Sequence, residues 1–382
     1  MNYRRKVPLI LLLLFVVVCI SPAHLQAEEL PAVTAESYVL MDADSGRILL
    51  ARNEHKRLPP ASMTKLMTLI LAAEALEEGR ADLKEEVTAS ENAWKLGGSQ
   101  IYLEIGEKMT YEDMLIAIAV GSANDACVAV AEHLDVTHEA FVENMNRKGR
   151  LLGMKNTNYI NSYGLPADKH YSSAYDMALL GRYALGLDKI LEYCAIKEYK
   201  LRQGEFVLYN TNKLLWWYEG TDGFKTGWTN EARYCLTATA KRDGLRLIAV
   251  VMGCPEPRGN FQDTMKILNY GFTKYTYKSF FDKGSICGTV KVGKGSQDII
   301  EVKAEEDVGS IAEKGKEKGI IIDKRILPYV NAPIKEGQKL GEIRVYNDGE
   351  LYKAVNMLAV EDLPRSGWFK GILKMLAETY LL

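Results

Sequence analysis

A lysine sits inside one of the most apolar stretches of this chain. Residues 59–78, PPASMTKLMTLILAAEALEE, place Lys65 among Met63, Leu66, Met67, Leu69 and Ile70 with helical spacing, and the pattern stops at Gly79. A helix this apolar has to be covered by other elements, and a lysine buried within it is costly unless something uses it. Ser62 stands three residues before Lys65, on the same helical face.

Around that helix the chain alternates between strand-like and helix-like texture. Residues 37–51 read as a hairpin, two apolar runs around Asp44-Ser45-Gly46. Residues 109–134 are apolar and Ala-rich and predict two helices meeting near Gly121. Residues 155–175, rich in Asn, Tyr, Ser and Gly, read as a long surface loop, followed by a helix over about 173–185. Residues 224–229, 234–240 and 245–253 look like consecutive strands, and helical spacing returns over 259–270. Strands at both ends with helices between them predict an α+β domain over residues 31–277.

From Lys278 short β-prone runs (CGTVKV, IIEVKA, GIIIDKRIL, KLGEIRVY, LYKAVNMLA) alternate with Gly, Asn and charged turns, which predicts a small all-β domain over 278–364. In residues 365–382, Trp368, Ile372, Leu376 and Tyr380 recur every four residues opposite Lys370, Lys374 and Glu378. That pattern predicts an amphipathic helix suited to a membrane interface, the alternative being a helix docked on the protein's own core. At the other end, Arg4, Arg5 and Lys6 precede an apolar run over 9–20 and a cleavage-like Leu25-Gln26-Ala27, so residues 1–27 read as a signal peptide. The run is short for a spanning anchor. Export to the extracytoplasmic face of a bacterial membrane is the expected location.

The formal net charge of −2, with no basic stripe, argues against nucleic acid as a partner. The five cysteines beyond the leader (Cys127, Cys194, Cys235, Cys254, Cys287) form no C-x-x-C pair, so no zinc site is supported; they read as buried small hydrophobes.

A serine hydroxyl needs a base to become a nucleophile. The histidines beyond the leader are His55, His133, His138 and His170, and there is no G-x-S-x-G elbow and no H-E-x-x-H. Ser62 and Lys65 offer another route: the amine can reach the hydroxyl, the helix start favours negative charge on the oxygen, and burial or a cationic neighbour would make the amine a base. S-x-x-K alone is a cheap pattern. Ser122-Ala123-Asn124 interrupts an apolar segment with a hydroxyl and an amide, which could relay a proton and hold a substrate carbonyl, or could be a capping serine and a turn asparagine. Ser90-Glu91-Asn92 fits the same S-x-N pattern. Lys225-Thr226-Gly227 opens a predicted strand; the first two could bind a carboxylate, and the glycine could let a peptide pair along the strand edge. An exposed strand with a turn glycine is the plainer alternative.

In this order the three motifs form the set of serine acyl-transferases that act on D-alanyl peptides or β-lactams. With MDADSGRILLARNEHKRLPPASMTKLMT, GSANDACVAVAEHL, NSYGLPADKHYSSAYDMALLGRYAL and TDGFKTGWTNEARYCLTATA, the chain resembles the low-molecular-mass penicillin-binding proteins, D-alanyl-D-alanine carboxypeptidases of serine peptidase family S11. The resemblance implies a penicillin-binding protein/β-lactamase-like catalytic domain, an antiparallel sheet with flanking helices. It implies Ser62 as the acylated residue, Lys65 as its base and Ser122 as a relay to the leaving amine. Asn124 would position the acyl-side amide, Lys225 and Thr226 would bind the terminal carboxylate, and the N–H groups of Ser62 and Trp228 would form the oxyanion hole. Peptidoglycan stem peptides are the implied substrates and β-lactams the covalent inhibitors, with no metal or organic cofactor.

Three positions depart from the family pattern or stay open. Tyr163 stands where a histidine often precedes Gly-Leu, Arg258 is a candidate for supporting the carboxylate pocket, and Asp176 either anchors the loop or simply starts a helix. A β-lactamase is the nearest rival, but the E-x-x-L-N loop pattern of its class A form is absent. A DD-endopeptidase on the same site and a non-catalytic penicillin sensor are the others.

Overall fold

The continuous apolar run LRLIAVVMGC becomes the middle strand of the central sheet, as a strand covered on both faces must be. The computed structural model describes residues 30–367; the leader and all but the first three residues of the predicted amphipathic helix lie outside the described residues. Strands β1 (Ser37–Asp42), β2 (Ile48–Arg52), β3 (Thr221–Thr229), β4 (Arg233–Arg242) and β5 (Leu245–Cys254) form a five-stranded antiparallel sheet in the order β2-β1-β5-β4-β3. The two-residue period of a strand splits their side chains between two cores. Val39, Met41, Ile248, Val250 and Met252 join the core under the helical layer, while Leu40, Leu247, Ala249 and Val251 join the one on the opposite face.

The expected apolar helix is α1 (Lys65–Glu77), preceded by a 3-10 turn, Ala61–Thr64. It is buried almost all round and packs against α3 (Asn124–Asp135) and α5 (Ala174–Ala184). The 109–134 segment does break near Gly121: α2 (Tyr111–Ile116) runs into a π-turn, Ala117–Gly121, before α3 begins. Helix α4 (His138–Leu151) follows, then α6 (Asp188–Cys194) after α5. On the other face, α7 (Gly259–Lys274) covers β4 and β5.

The 155–175 loop is only partly a surface loop: Lys155, Ile160, Pro166, Asp168 and Lys169 are exposed, but much of the rest turns inward. Tyr159, Asn161, Ser162, Gly164, His170, Ser172 and Ser173 are buried. Residues around it hold its buried part by hydrogen bonds. The Asp176 carboxylate accepts from Asn156 N–H (2.7 Å) and Thr157 Oγ1 (2.8 Å), Asn146 pairs with both the N–H and the C=O of Tyr159 (2.8 Å each), and Thr68 Oγ1 donates to the Ser162 carbonyl (2.6 Å). Asp176 thus both anchors the loop and lies in the first turn of α5.

Helix α7 runs directly into β6 (Tyr275–Phe281), so the change of texture at 278 falls inside a strand. The β-rich part then comprises β7 (Ile286–Gly293), β8 (Ile299–Ala304), β9 (Val308–Glu313), β10 (Ile320–Ile326), β11 (Tyr329–Asn331), β12 (Lys339–Asn347) and β13 (Glu350–Ala359). Six of these form one sheet, order β10-β12-β13-β8-β7-β11, and β6 pairs with β9. Tyr352 OH donates to Asp42 (2.7 Å) and Lys353 Nζ to Asp44 (2.8 Å), tying β13 to the β1 end of the central sheet. All five cysteines among the described residues are free and buried.

Candidate active site

Pro59 and Pro60 deliver the chain into the 3-10 turn, with half-buried Ser62 as its second residue and Lys65 at the head of α1. One helical step brings them together: Lys65 Nζ donates to Ser62 Oγ at 2.7 Å and to the Tyr163 carbonyl, also at 2.7 Å. Lys65 is fully buried, and burial lowers its amine to about 8, with Cys127 and Asp125 pulling the other way. The Tyr163 position contributes through its backbone. Its ring stacks on His138 with centroids 5.6 Å apart.

Two glycines hold the serine turn in place. A Cβ on Gly227 would lie 2.7 Å from the Pro60 carbonyl oxygen and 3.2 Å from Met63 N, so the missing side chain makes room for the turn against β3. The sequence reading assigned that room to a substrate strand; the turn occupies it, although β3 remains the sheet edge. From the other side Gly164, at φ +90°, would place a Cβ 1.9 Å from the Ala61 carbonyl oxygen.

Ser122 caps the π-turn in the left-handed region (φ 60°) and is almost fully buried. Asn124 opens α3. Its N–H donates to the Ser99 carbonyl (2.8 Å) and its Nδ2 to the Gly97 carbonyl (2.7 Å), while its Oδ1 is buried without a partner. Lys225 is fully buried; burial first, and then the charge of Lys65, lower its amine to about 7. Its Nζ lies 3.4 Å from Thr211 Oγ1, which also accepts from Thr226 Oγ1 at 2.8 Å. The charge of Lys65 acts on Lys225, which puts the S-x-x-K and K-T-G motifs in one electrostatic neighbourhood.

None of the four histidines among the described residues hydrogen-bonds Ser62. His170 pairs with Thr64 Oγ1 (2.9 Å) and burial pushes it down to about 4; His138 pairs with Ser162 Oγ (3.0 Å), His133 with Glu85 (3.0 Å), and His55 packs on Tyr175. Arg258 is exposed at the N-cap of α7 and makes no hydrogen bond or ion pair with Lys225 or Thr226. Sequence reasoning missed Thr211, whose place is set by Asn210 and Asn212, both buried, and by its own N–H bond to the Val120 carbonyl (3.3 Å). The Asn-Thr-Asn triplet at 210–212 was the available signal. It also missed Asp125, whose carboxylate accepts from Ile101 and Leu103 N–H groups (3.1 Å) beside α3.

Comparison with known proteins shows the family. The D-alanyl-D-alanine carboxypeptidase family model matches residues 24–256, and the penicillin-binding protein 5 C-terminal domain model matches 275–365. The chain is 40% identical over 338 residues to D-alanyl-D-alanine carboxypeptidase DacF of Bacillus subtilis, covering 87% of each protein. It is similar in structure to penicillin-binding protein 5 of Haemophilus influenzae (TM-score 0.70, 32% identity, 88% of this chain and 99% of the other). It also resembles penicillin-binding protein D2 of Listeria monocytogenes in its ampicillin-bound form (TM-score 0.58, 30% identity, 63% of this chain and 98% of the other). With both models matched in sequence order, the chain belongs to the D-alanyl-D-alanine carboxypeptidase family S11, with a C-terminal domain of the penicillin-binding protein 5 type.

Proposed function

We propose that this protein is a serine-type D-alanyl-D-alanine carboxypeptidase that trims the terminal D-alanine from peptidoglycan stem peptides through an acyl-enzyme on Ser62. The observation that carries the reading is the 2.7 Å contact between Ser62 Oγ and a fully buried lysine amine. With its amine lowered to about 8, Lys65 is neutral in about a tenth of molecules at pH 7, against well under a thousandth for an ordinary lysine.

In this reading the substrate's terminal carboxylate meets Lys225 and Thr226. Its negative charge favours protonated Lys225, and that positive charge in turn favours neutral Lys65. Lys65 Nζ takes the Ser62 proton as Oγ attacks the penultimate carbonyl, and the N–H groups of Ser62 and Trp228 receive the oxyanion. Asn124 Oδ1, buried and unpaired, accepts the acyl-side N–H. The C–N bond breaks as the proton passes from Lys65 through Ser122 to the leaving amine, freeing D-alanine. Water, deprotonated by Lys65, then hydrolyses the Ser62 ester. In this reading a β-lactam enters by the same attack and stays as a stable acyl group; the Listeria relative has been solved in an ampicillin-bound form.

Residues 31–277 carry this chemistry in our reading, 278–364 serve as a spacer, and the leader and 365–382 place the enzyme at the outer face of the cell membrane, where stem peptides mature. The leader and tail patterns in the sequence support that placement. Deleting 365–382 is expected to move the protein from membrane to soluble fractions.

The direct test incubates the purified protein with a peptide ending in D-Ala-D-Ala. D-alanine release, a penicillin adduct on Ser62 by mass spectrometry, and loss of both in Ser62→Ala are expected. Absence of release and adduct would overturn the proposal, and rapid nitrocefin turnover would replace it with a β-lactamase.

A further inference from the structure

Helix α4 opens on His138, and the imidazole of that residue reaches the loop that holds Lys65. Its Nε2 lies 3.0 Å from Ser162 Oγ and 3.3 Å from Ser162 N, and its ring stacks on Tyr163. A backbone N–H can only donate, so Nε2 carries the lone pair and the ring proton sits on Nδ1. Ser162 is fully buried, and its carbonyl accepts from Thr68 on α1. The next peptide carries the Tyr163 carbonyl, which accepts from Lys65 Nζ. One imidazole lone pair therefore pins, from α4, the residue beside the one that holds the catalytic amine.

Such a contact depends on the charge of the ring. An imidazolium carries N–H at both nitrogens. Its Nε2–H could still meet Ser162 Oγ, but it would point a donor at the Ser162 N–H and leave that buried group without its acceptor. Desolvation holds His138 below the ordinary 6.5, while Glu139 on its own helix and Glu132 on α3 pull it back up. The Tyr163 phenol, kept neutral by burial, covers its ring from the loop. From α1, uncharged Thr68 holds Ser162 and Lys65 holds Tyr163.

We propose that His138 is a positioning residue for the Ser62–Lys65 pair, and that its protonation releases residues 162–164 and draws the Tyr163 carbonyl away from the lysine. The inference rests on Ser62 acylation as read above. The assembled loop favours the neutral ring, whereas a released loop lets it titrate near its ordinary 6.5. Acid therefore shifts the population toward release, and the shift fades as pH rises above that value. His170, which pairs with Thr64 in the serine turn, titrates at about 4 and stays neutral through the range where His138 charges.

The test follows Ser62 acylation by benzylpenicillin in the purified protein from about pH 5 to about pH 9 at constant ionic strength. Lys65 alone gives unit slope in log rate against pH below about 8. His138 adds a second proton, so the slope should steepen toward about two below about pH 6. At about pH 5 the rate should lie about three- to thirtyfold under the unit-slope line, about thirtyfold being the limit for a group that titrates at about 6.5. H138Q puts an amide oxygen where Nε2 stands; it should acylate within about twofold of the unmodified protein at about pH 7.5 and hold unit slope throughout. H138A supplies no acceptor and should be about three- to tenfold slower at every pH, again without steepening. A merely structural histidine would slow both variants and leave the unmodified protein at unit slope. Unit slope in the unmodified protein down to about pH 5, or steepening that survives in either variant, overturns the proposal. Failure of the carboxypeptidase reading itself looks different, with no adduct on Ser62 at any pH, and takes this inference with it.

Discussion

Lys65 spends stability on reactivity. Its amine is enclosed, held by Ser62 Oγ and the Tyr163 carbonyl, and lowered from an ordinary 10.5 to about 8 by burial. Because the base must be neutral, Ser62 acylation by benzylpenicillin should rise with pH and level off above about 8, as a stopped-flow pH profile would show. The same shift sets a sign for stability. Between about pH 8 and 10.5 the unfolded chain binds the Lys65 proton and the folded one does not, so the penalty carried at neutral pH fades across that window. Lys65→Met should therefore be inactive yet about 1–3 kcal/mol more stable than the unmodified protein at pH 7, with a smaller gain at pH 9.5. Thermal denaturation at the two pH values checks it; a less stable variant at pH 7 would contradict the cost assigned to burial. Ser62 and Lys65 were legible because one helical turn relates them. Thr211 and the Tyr163 carbonyl were not, since neither lies near its partner in the chain and backbone groups carry no residue signature.

At the scale of elements, the serine turn is wedged between β3 and the 155–175 loop, with one glycine on each side. Gly164→Ala combines a strained φ with a 1.9 Å clash against the Ala61 carbonyl, whereas Gly227→Ala meets the Pro60 carbonyl at 2.7 Å with no positive φ to aggravate it. Both should slow penicillin acylation, Gly164→Ala the more, by about a hundredfold or greater on the expectation that an ångström of misplacement costs that much. Fluorescent-penicillin labelling alongside melting temperature separates this from unfolding; unchanged labelling of Gly164→Ala would remove the clamp from the account. The strands at 221–254 and most of the β-rich runs could be read from apolar patterning. Strand β9, VGSIAE, could not, because its glycine, serine and alanine carry weak strand preference and gain their burial from β6 and β12. The 155–175 loop misled for a related reason: Asn, Ser and Thr look solvated in sequence whether they bind water or backbone.

Among the described residues, the catalytic and β-rich parts are joined without a slack connection. Helix α7 passes straight into β6, and Tyr352 and Lys353 reach back from β13 to Asp42 and Asp44. Asp42 is buried, and desolvation raises its carboxyl above the usual range despite the donors from Ser45 and Tyr352. Removing one donor in Tyr352→Phe should lower stability by about 1–3 kcal/mol and leave penicillin acylation at Ser62 unchanged. Chemical denaturation and labelling together test that; an unchanged denaturation midpoint would mean the contact holds nothing.

The five cysteines among the described residues are all buried and chemically quiet. Burial raises every one of these thiols, Cys127, Cys194 and Cys235 to about 12, so almost no thiolate is present at neutral pH. Among the described residues there is no native disulfide to re-form on refolding from denaturant. A single cysteine engineered on an exposed face would then meet a maleimide ahead of these five, which makes site-specific fluorophore attachment possible without first replacing them.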